Sequence, residues 1–392
     1  MRIGVGKEIK PGETRAGLMP EQVARLVHEG HVLYVEIGAG VGSGFADAEY
    51  EAAGAKAVPK RELYERCDLI VKVKAPLDEE VPLLGPHHTL FTYLHLDGNA
   101  PVEYAQQLCA TGGVGIAYEW VEKATGELPL LSPMSDITGV LFARRSMELL
   151  MSHAGMLGGD YVEGCPPARA LVIGLGHIGK HASKVFLRNG FDLTVVDIEP
   201  ERALDSLAER LGDAAGDGWR KRIEVITSSE DDPLATQQAI AARLPATDIL
   251  ICAAVRRPSL PVSRCRYLVT RQMIALMQPG RIVCDATASM RDLVETCVPT
   301  EILDETYVEE GVVHYNPDHI PALTPRPATR LLTQATFPYL RELAAKGWRE
   351  ALTDNLELRG GLMYAEGAFW HPVTCKAKGL PLTSYEVLFP PS

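Results

Sequence analysis

Three polar residues in the first hundred positions combine the chemistry needed to bind and protonate a small 2-oxo acid. Arg15 lies in a loop after the first apolar run, whereas Lys74 and His95 each follow a later one directly. An arginine can bind a carboxylate through two parallel hydrogen bonds, a lysine can polarise a carbonyl, and a histidine exchanges protons near neutral pH. The same positions are compatible with a strand-end lysine and a buried histidine that serve structure alone.

A glycine-rich turn in the middle of the chain has the spacing of a pyrophosphate-binding loop. The turn, Gly174-Leu175-Gly176-His177-Ile178-Gly179, joins an apolar run at 170–173 to a helical pattern at 180–188. Gly174 permits the tight turn, Gly176 lets the backbone approach a phosphate, and Gly179 lets helix and strand pack closely. We therefore predict a dinucleotide site here, the alternative being a tight turn without a ligand.

Asp197 determines which dinucleotide the turn favours. It follows the next apolar run, at 192–196, and lies 23 residues after Gly174. A carboxylate accepts hydrogen bonds from both hydroxyls of a ribose but repels a 2′-phosphate. The sequence therefore predicts NAD as the cofactor. Small residues after the apolar run at 248–252 would let the ribose lie against the backbone.

Short apolar runs alternate with helical patterns in both halves of the chain. They lie at 2–5, 32–36, 69–73 and 89–94 in the first half, and at 170–173, 192–196, 223–226, 248–252 and 281–284 in the second. This alternation predicts an α/β fold with two doubly wound parallel-sheet domains of Rossmann type. Ligands bind at the carboxyl ends of such strands, which is where Lys74 and His95 lie.

The length of the chain, 392 residues, predicts two domains because one ordinary core does not extend that far. We predict a discontinuous substrate domain at 1–133 plus 325–392 and an NAD-binding Rossmann domain at 134–324. Long helices, expected at 139–157 and 333–346, would join them. The C-terminal residues should pack on the first domain, and 212–218 should form a surface loop.

Composition limits the partners and the location of the chain. A net charge of −12 argues against nucleic acid or an anionic membrane, because both require a basic face. No apolar run reaches 18 residues and the N-terminus has no secretion-signal pattern, so we expect a cytoplasmic protein. The eight cysteines form no C-x-x-C pair and no zinc-spaced cluster, which predicts reduced, mostly buried thiols and no metal site.

Several specific runs are shared with a known family. They include Met1-Arg2-Ile3-Gly4-Val5-Gly6-Lys7-Glu8, Gly38-Ala39-Gly40-Val41-Gly42-Ser43-Gly44-Phe45, Ile70-Val71-Lys72-Val73-Lys74-Ala75-Pro76-Leu77 and Thr333-Gln334-Ala335-Thr336-Phe337-Pro338-Tyr339. With these runs the chain resembles, over nearly its whole length, the alanine dehydrogenase and NAD(P) transhydrogenase alpha-subunit family. The resemblance implies a dimeric or hexameric two-domain NAD enzyme that interconverts an L-amino acid with a 2-oxo acid plus ammonia.

The resemblance also assigns roles to individual residues. It implies that Arg15 binds the substrate carboxylate, that Lys74 contacts the carboxylate or carbonyl, and that His95 acts as acid and base or polarises the carbonyl. It places further residues against the cofactor, besides the glycines and His177 of the turn: Ser135, Ile178, Asp197, Arg202, Ser228 and Val255.

Two positions near the expected nicotinamide depart from the family pattern. Ser289 stands where alanine dehydrogenases carry a catalytic aspartate, and His319 stands where they carry an asparagine. A serine cannot hold the charge of an aspartate, so we expect a substrate other than plain alanine. Arg256, Arg257 and Arg291 would suit a second anionic group on that substrate, or they are ordinary surface arginines.

Three functions are compatible with these observations. The first is an NAD-dependent amino-acid dehydrogenase, expected to be a homo-oligomer with a small anionic substrate. The second is an opine- or saccharopine-type dehydrogenase, which condenses an amino acid with a 2-oxo acid; the pair Lys74 and His95 would serve it equally. The third is a catalytically silent NAD-binding protein, against which the retention of Arg15, Lys74 and His95 argues.

Overall fold

The chain forms two compact units of nearly equal weight. The computed structural model describes residues 1–98, 100–159, 162–211, 218–255, 262–288 and 293–389. Unit 1 consists of Met1–Met134 with Ala322–Ser392, and unit 2 of Ser135–Pro321. The sequence prediction placed the two junctions at 133/134 and 324/325. The expected loop at 212–218 lies, apart from Gly218, outside the described residues.

Strands and helices alternate through most of both units. The strands are β1 (Arg2–Val5), β2 (Val32–Glu36), β3 (Lys56–Val58), β4 (Leu69–Val71), β5 (Thr89–Thr92), β6 (Val114–Ala117), β7 (Arg169–Ile173), β8 (Asp192–Asp197), β9 (Ile223–Thr227), β10 (Ile249–Cys252), β11 (Ile282–Asp285), β12 (Tyr307–Glu309), β13 (Val312–His314), β14 (Leu362–Ala365) and β15 (Ala368–Phe369). The α-helices are α1 (Pro20–His28), α2 (Asp47–Ala52), α3 (Lys60–Arg66), α4 (Val102–Ala110), α5 (Ser132–Ala154), α6 (His177–Arg188), α7 (Pro200–Leu211), α8 (Pro233–Ala241), α9 (Arg271–Ile274), α10 (Pro325–Asp354), α11 (Leu356–Gly360), α12 (Pro372–Lys378) and α13 (Tyr385–Leu388).

The sheet of unit 1 has the strand order β15-β14-β6-β5-β4-β1-β2-β3. Strands β1 to β6 run parallel, and β14 and β15 extend the sheet antiparallel at one edge. Every residue of β4, β5 and β6 is buried. Parallel strands covered on both faces require such continuous apolar runs. The C-terminal part of the chain enters this sheet through β14, which pairs with β6.

The sheet of unit 2 has the order β12-β13-β11-β10-β7-β8-β9, with only the β12–β13 pair antiparallel among its described strands. Counted from the first strand of each unit, both sheets share the order 3-2-1-4-5 of doubly wound folds. In unit 1 the sixth strand follows, whereas in unit 2 the seventh strand, β13, pairs with β11 and the sixth, β12, lies outside it. The predicted fold class is therefore confirmed. The order in which strands are added to the sheet reverses between β1 and β4, and again between β7 and β10. Ligands bind in the crevice beside such a reversal.

The strands that the sequence did not predict are short or lie at sheet edges: β3, β6, β12, β13, β14 and β15. In β6 the apolar run is interrupted by Gly115. A Cβ there would lie 2.2 Å from the Tyr364 ring, so the glycine makes room for the strand that pairs with β6. The glycine is required by a residue almost 250 positions away in the sequence, and no local pattern indicates that requirement.

Helix α5 begins earlier than predicted and packs closely on α6 at a glycine. The helix starts at Ser132 instead of 139 and includes Gly139 in its interior. A Cβ at Gly139 would lie 2.1 Å from the Ile178 carbonyl oxygen, so the start of α6 packs directly on the α5 backbone. The later helix α10 contains a non-helical residue, Gly347, at φ 74°. Among the described residues no helix is long and apolar enough to cross a membrane.

Candidate active site

The glycine turn between β7 and α6 has three glycines with three different surroundings. Gly174 has φ 85°, in the left-handed region that glycine adopts readily. A Cβ at Gly179 would lie 1.8 Å from the Gly174 carbonyl oxygen, so the first turn of α6 packs tightly on the loop. At Gly176, by contrast, a Cβ would meet no heavy atom of the described residues within 4 Å. Its backbone is open on the side from which a phosphate would approach the helix N-terminus.

Asp197 lies beside this turn at the end of β8. Its Oδ2 accepts a hydrogen bond from the Leu175 N–H at 2.7 Å, and its Oδ1 accepts one from the Glu199 N–H at 3.0 Å. Each carboxylate oxygen has a second lone pair that can accept a hydroxyl group. The carboxylate is thus fixed in position with acceptor capacity remaining, which suits a ribose diol and disfavours a 2′-phosphate.

A crevice of about 250 Å³ lies at the carboxyl ends of β7, β8 and β10. Five residues predicted to bind the cofactor line it: Gly174, Gly176, Asp197, Ser228 and Val255. Its wall also includes Leu268 and Leu293, which the sequence prediction missed because both follow no periodic pattern. Apolar side chains opposite a phosphate loop suit a purine ring, so the residues present fit a dinucleotide.

The remaining residues predicted to bind the cofactor are not among the described residues that line this crevice. Arg202 is 86% exposed and forms an ion pair with Glu199 at 3.1 Å. His319 is buried and contacts the neighbouring Asp318 through Nδ1. Ile178 and Gly179 lie in α6, and Ser135 lies half-buried in α5. Ser289, like Arg256, Arg257 and Arg291, lies outside the described residues.

His177, the first residue of α6, is connected to α5 through Asp136. Its Nδ1 lies 2.8 Å from Asp136 Oδ1, and the Nδ1 of His181 lies 3.1 Å from the same oxygen. Burial opposes ionisation of Asp136, but the hydrogen bonds from the two histidines outweigh it and hold its pKa well below the usual range. These contacts fix the orientation of the helix whose N-terminus faces the crevice.

In unit 1, Arg15 forms a buried ion pair with Glu13 in the loop after β1. The Nε–H donates to Glu13 Oε1 at 2.7 Å and Nη2 donates to Oε2 at 2.5 Å. Burial opposes both charges, yet each group stabilises the other: the pKa of Arg15 is raised and that of Glu13 is lowered. Nη1 also approaches the sulfur of Met134 at 3.1 Å. The Nη1–Nη2 edge keeps hydrogens that can bind a second carboxylate.

The loop that carries Arg15 is held by α10 and by the glycine-rich segment after β2. The Ala16 N–H donates to Thr329 Oγ1 at 3.0 Å, and the Ser43 hydroxyl lies 2.7 Å from the same oxygen. Ser43 Oγ also donates to the Thr14 carbonyl at 3.0 Å. A Cβ at Gly42 would lie 2.4 Å from Thr14 Cβ, so the glycine permits this close approach.

Lys74 follows β4, in a turn whose backbone N–H groups are bound by the Glu8 carboxylate. Glu8 Oε1 accepts hydrogen bonds from the N–H groups of Val73 at 2.6 Å and Lys74 at 3.3 Å. Its other oxygen lies 3.4 Å from the fully buried Lys72 ammonium, which also lies 2.9 Å from Glu80. The charge of Lys74 contributes to the lowered pKa of Glu13, so Lys74 lies within electrostatic reach of the Arg15 pair.

His95 follows β5 in a left-handed backbone conformation, with φ 47°. Its backbone N–H donates to Glu119 at 2.5 Å. Its imidazole stacks parallel to the Tyr93 ring, with centroids 5.5 Å apart. Tyr93 is in turn within electrostatic reach of Arg15. The structure therefore brings Arg15, Lys74 and His95 to the carboxyl ends of β1, β4 and β5 in the unit 1 sheet.

The supporting groups around these three residues were not predicted from the sequence. They are Glu8, Glu13, Tyr93, Glu119 and Met134. Glu13 and Tyr93 had a local signal, because each lies two residues before a predicted site residue, Arg15 and His95 respectively. Within the described part of the chain, no group of three or more histidine, cysteine or acidic side chains could hold a metal ion.

Two doubly wound units, one with a crevice beside a glycine turn and one with a buried arginine–carboxylate pair, define a two-domain protein of Rossmann type. Residues 4–138 match the family "Alanine dehydrogenase/PNT, N-terminal domain", and residues 140–372 match "Alanine dehydrogenase/PNT, C-terminal domain". The chain belongs to the alanine dehydrogenase/PNT family. The family resemblance predicted from the sequence is thus confirmed.

Full-length relatives support this assignment. An alanine dehydrogenase of Staphylococcus haemolyticus is 37% identical over 391 residues, which cover 98% of either chain. One of Halomonas elongata is 36% identical over 384 residues, or 97% of either chain. A solved L-alanine dehydrogenase has a TM-score of 0.82 at 34% identity, covering 96% of this chain and 99% of its own. A transhydrogenase of Sinorhizobium meliloti, at 21% identity, shares the fold with a TM-score of 0.77 over 94% of this chain and 100% of its own.

Proposed function

We propose that this protein is an NAD-dependent oxidoreductase that interconverts an L-amino acid with the corresponding 2-oxo acid plus ammonia. The observation that carries the proposal is the buried Arg15–Glu13 pair, which lies at the carboxyl ends of the unit 1 strands together with Lys74 and His95. A carboxylate anchor beside two proton-carrying groups suits a 2-oxo acid and its amine. Relatives named alanine dehydrogenase at 36–37% identity support this reaction type.

Each of the three side chains has a distinct task in this proposal. The Arg15 edge binds the substrate carboxylate, and Glu13 keeps the guanidinium in place while balancing its charge. Lys74 contacts the carboxylate or the neighbouring carbonyl and orients it. His95 exchanges the proton that the carbonyl or imine nitrogen gains and loses. When bound, the nicotinamide ring donates or accepts the hydride at the substrate α-carbon.

Unit 2 supplies the cofactor site in the proposal. The open backbone at Gly176 and the N-terminus of α6 would hold the pyrophosphate, and Asp197 would accept hydrogen bonds from the ribose hydroxyls. Because a 2′-phosphate would face the Asp197 carboxylate, we propose NAD rather than NADP as the physiological cofactor.

We further propose that the preferred amino acid differs from alanine. The support is the departure from the family pattern at Ser289 and at His319, the latter a buried ring in contact with Asp318. An imidazole occupies more volume than an amide and offers a different set of donors and acceptors. The family resemblance places both positions near the nicotinamide, so we expect the two changes to alter substrate preference.

A turnover panel with the purified full chain tests the proposal. NADH oxidation is measured with pyruvate and with larger or acidic 2-oxo acids, with ammonia or an L-amino acid as the amine. Turnover with ammonia supports an amino-acid dehydrogenase, and a preference for pyruvate would contradict the proposed substrate. Turnover only with a second amino acid would identify an opine-type enzyme instead. NADH binding without turnover of any substrate would contradict catalysis altogether.

We also propose that the protein works as a homo-oligomer in the cytoplasm. Unit 2 exposes apolar side chains at its edge strand β12 and in the preceding loop, with Val308 62% and Ile302 63% exposed. Exposed apolar side chains beside an edge strand are suited to contact with another copy. Light scattering of the purified chain would give the mass; a single-chain mass of 42.7 kDa at micromolar concentration would contradict this proposal.

A further inference from the structure

A buried carboxylate lies directly behind the proposed proton-transfer histidine. Glu119 is the middle residue of a short 3-10 helix, Tyr118–Trp120, that follows β6, and it is only 7% exposed. Its oxygens accept the Leu94 N–H, at 3.2 Å from each, and the His95 N–H, at 2.5 Å from Oε1. The carboxylate thus holds two consecutive amides of the loop that carries the imidazole.

The conformation of this loop requires such support. His95 has φ 47°, a left-handed conformation that side-chain-bearing residues rarely adopt and that persists only where surrounding contacts enforce it. The next residue of the 3-10 helix, Trp120, donates through Nε1–H to Asp97 Oδ1 at 3.3 Å. Glu119 and Trp120 therefore hold the loop on either side of residue 96 and fix the point from which the imidazole projects.

The imidazole itself lies between an aromatic face and the same carboxylate. The Tyr93 ring is parallel to it within 4°, and Glu119 Oε1 lies 3.9 Å from His95 Nδ1. An ionised carboxylate at this distance favours a proton on Nδ1, and it stabilises the imidazolium form. The Nε2 atom is then the one that exchanges a proton with a bound substrate.

We propose that Glu119 is a positioning residue that fixes the conformation of His95 and couples the ionisation of the imidazole to its own. The proposal rests on the proposed function only in naming His95 as the proton-transfer group. The coupling between Glu119 and His95 is a property of the protein without substrate or cofactor.

The charges around Glu119 place its ionisation in the range where a histidine titrates. Burial, assisted by Asp97, raises the pKa of Glu119 to about 7, although its backbone hydrogen bonds act in the opposite sense. Tyr93, the residue that follows β5, lies within electrostatic reach of Glu119. His371, whose ring lies 4.4 Å from that of Trp120, is kept neutral because burial lowers its pKa to about 4. Protonation of Glu119 therefore removes the charge that faces Nδ1.

Histidine NMR of the full chain tests the coupling directly. In protein labelled at the histidine Cε1, a His95→Asn variant identifies the His95 signal. We expect this signal to titrate in two steps in the wild type, because it senses both groups. In Glu119→Gln, which keeps an acceptor oxygen but not the charge, we expect one step with a midpoint lower by roughly 1 pH unit. Glu122→Gln, at an exposed position three residues later, should match the wild type.

A single-step wild-type titration, or an unchanged midpoint in Glu119→Gln, would overturn the proposal. The wild-type result decides even if the variant does not fold. In turnover assays we expect Glu119→Gln to lower kcat about tenfold while KM for the 2-oxo acid changes less than twofold. If activity fell only in proportion to the fraction of folded protein, Glu119 would have a structural role only. Two-step titration without turnover would sustain the coupling and contradict the proposed function.

Discussion

Arg15 and Glu13 lie two residues apart in one loop and form a buried, doubly hydrogen-bonded ion pair. Burial opposes both charges, and their mutual attraction and hydrogen bonds offset that cost. The pairing uses the Nε–H and Nη2 donors of the guanidinium, and Nη1 approaches the Met134 sulfur. Anchor and counter-charge thus come from a single stretch of sequence.

Removing the counter-charge should destabilise the fold. Glu13→Gln leaves the buried Arg15 charge unbalanced, and we expect the free energy of unfolding to fall by about 3 kcal/mol. Urea denaturation followed by circular dichroism measures this difference. Glu51→Gln, at an exposed helix position, should change it by less than about 0.5 kcal/mol. Equal values for the two variants would contradict the ion-pair assignment.

Two glycines three residues apart should respond to alanine in opposite ways. Gly176→Ala places its methyl group in open space, so we expect an unchanged melting temperature and at least about tenfold weaker NADH binding, because the methyl group occupies the phosphate approach. Gly179→Ala places a methyl group 1.8 Å from the Gly174 carbonyl oxygen and should cost about 3 kcal/mol of stability. Calorimetric titration with NADH and thermal melts measure both. Unchanged NADH affinity in Gly176→Ala would place the cofactor elsewhere.

The carboxylate of Asp197 should control the choice of cofactor. Asp197→Asn keeps an oxygen that can accept the Leu175 N–H but removes the charge facing a 2′-phosphate. We expect the preference for NADH over NADPH to fall at least about tenfold, a change of roughly 1.4 kcal/mol. The ratio of the two dissociation constants is the measurement.

Arg202 provides the matched comparison for Asp197. The family resemblance predicts that it contacts the cofactor, whereas its side chain is 86% exposed and paired with Glu199. From this geometry we expect Arg202→Ala to change NADH affinity less than twofold. A larger loss would show that the side chain turns toward the cofactor on binding.

Glu119 should also impose a pH dependence on stability. Its pKa is raised from 4.5 to about 7 in the folded state, so the fold binds the proton more tightly than the unfolded chain does. Its contribution to the free energy of unfolding is therefore most favourable below the pKa of the unfolded chain. That contribution is lost as the pH rises through the pKa of the folded state. We expect the free energy of unfolding of Glu119→Gln, relative to that of the wild type, to rise by about 3 kcal/mol between pH 4 and pH 8. Denaturant melts at both pH values measure the gain, and Glu122→Gln should show none.

The sequence predicted those parts of the site that depend on neighbours in the chain. The glycine turn, Asp197 and the strand-end positions of Lys74 and His95 follow from spacing and from the pattern of apolar runs. Glu8 and Glu119 do not, because each serves a backbone amide on another element: Glu8 lies 65 positions from Val73 and Glu119 lies 24 from His95. The periodicity of a segment predicts its own secondary structure, but it does not predict which carboxylate elsewhere in the chain will bind its backbone.

The same limit applies to the fold. Both doubly wound sheets were predicted from alternating patterns, and the predicted strands β1 and β2 have the observed bounds. Strands β12, β13 and β15 were missed because they have only two or three residues. Strand β14 was missed although it has four residues, as β1 does. In β6, Gly115 appears locally as an interruption, whereas in the fold it makes room for the ring of Tyr364.

The hydrogen bonds from Ala16 and Ser43 to Thr329 have a consequence for the order of events during synthesis. The ribosome makes the Arg15 loop before unit 2, but makes its partner Thr329 only after unit 2. Unit 2 is continuous in sequence and can fold as soon as its last strand has been made. The surroundings of Arg15 are therefore completed late in synthesis. A nascent chain that stops before residue 329 contains all residues of the unit 2 crevice but lacks the partner of the Arg15 loop.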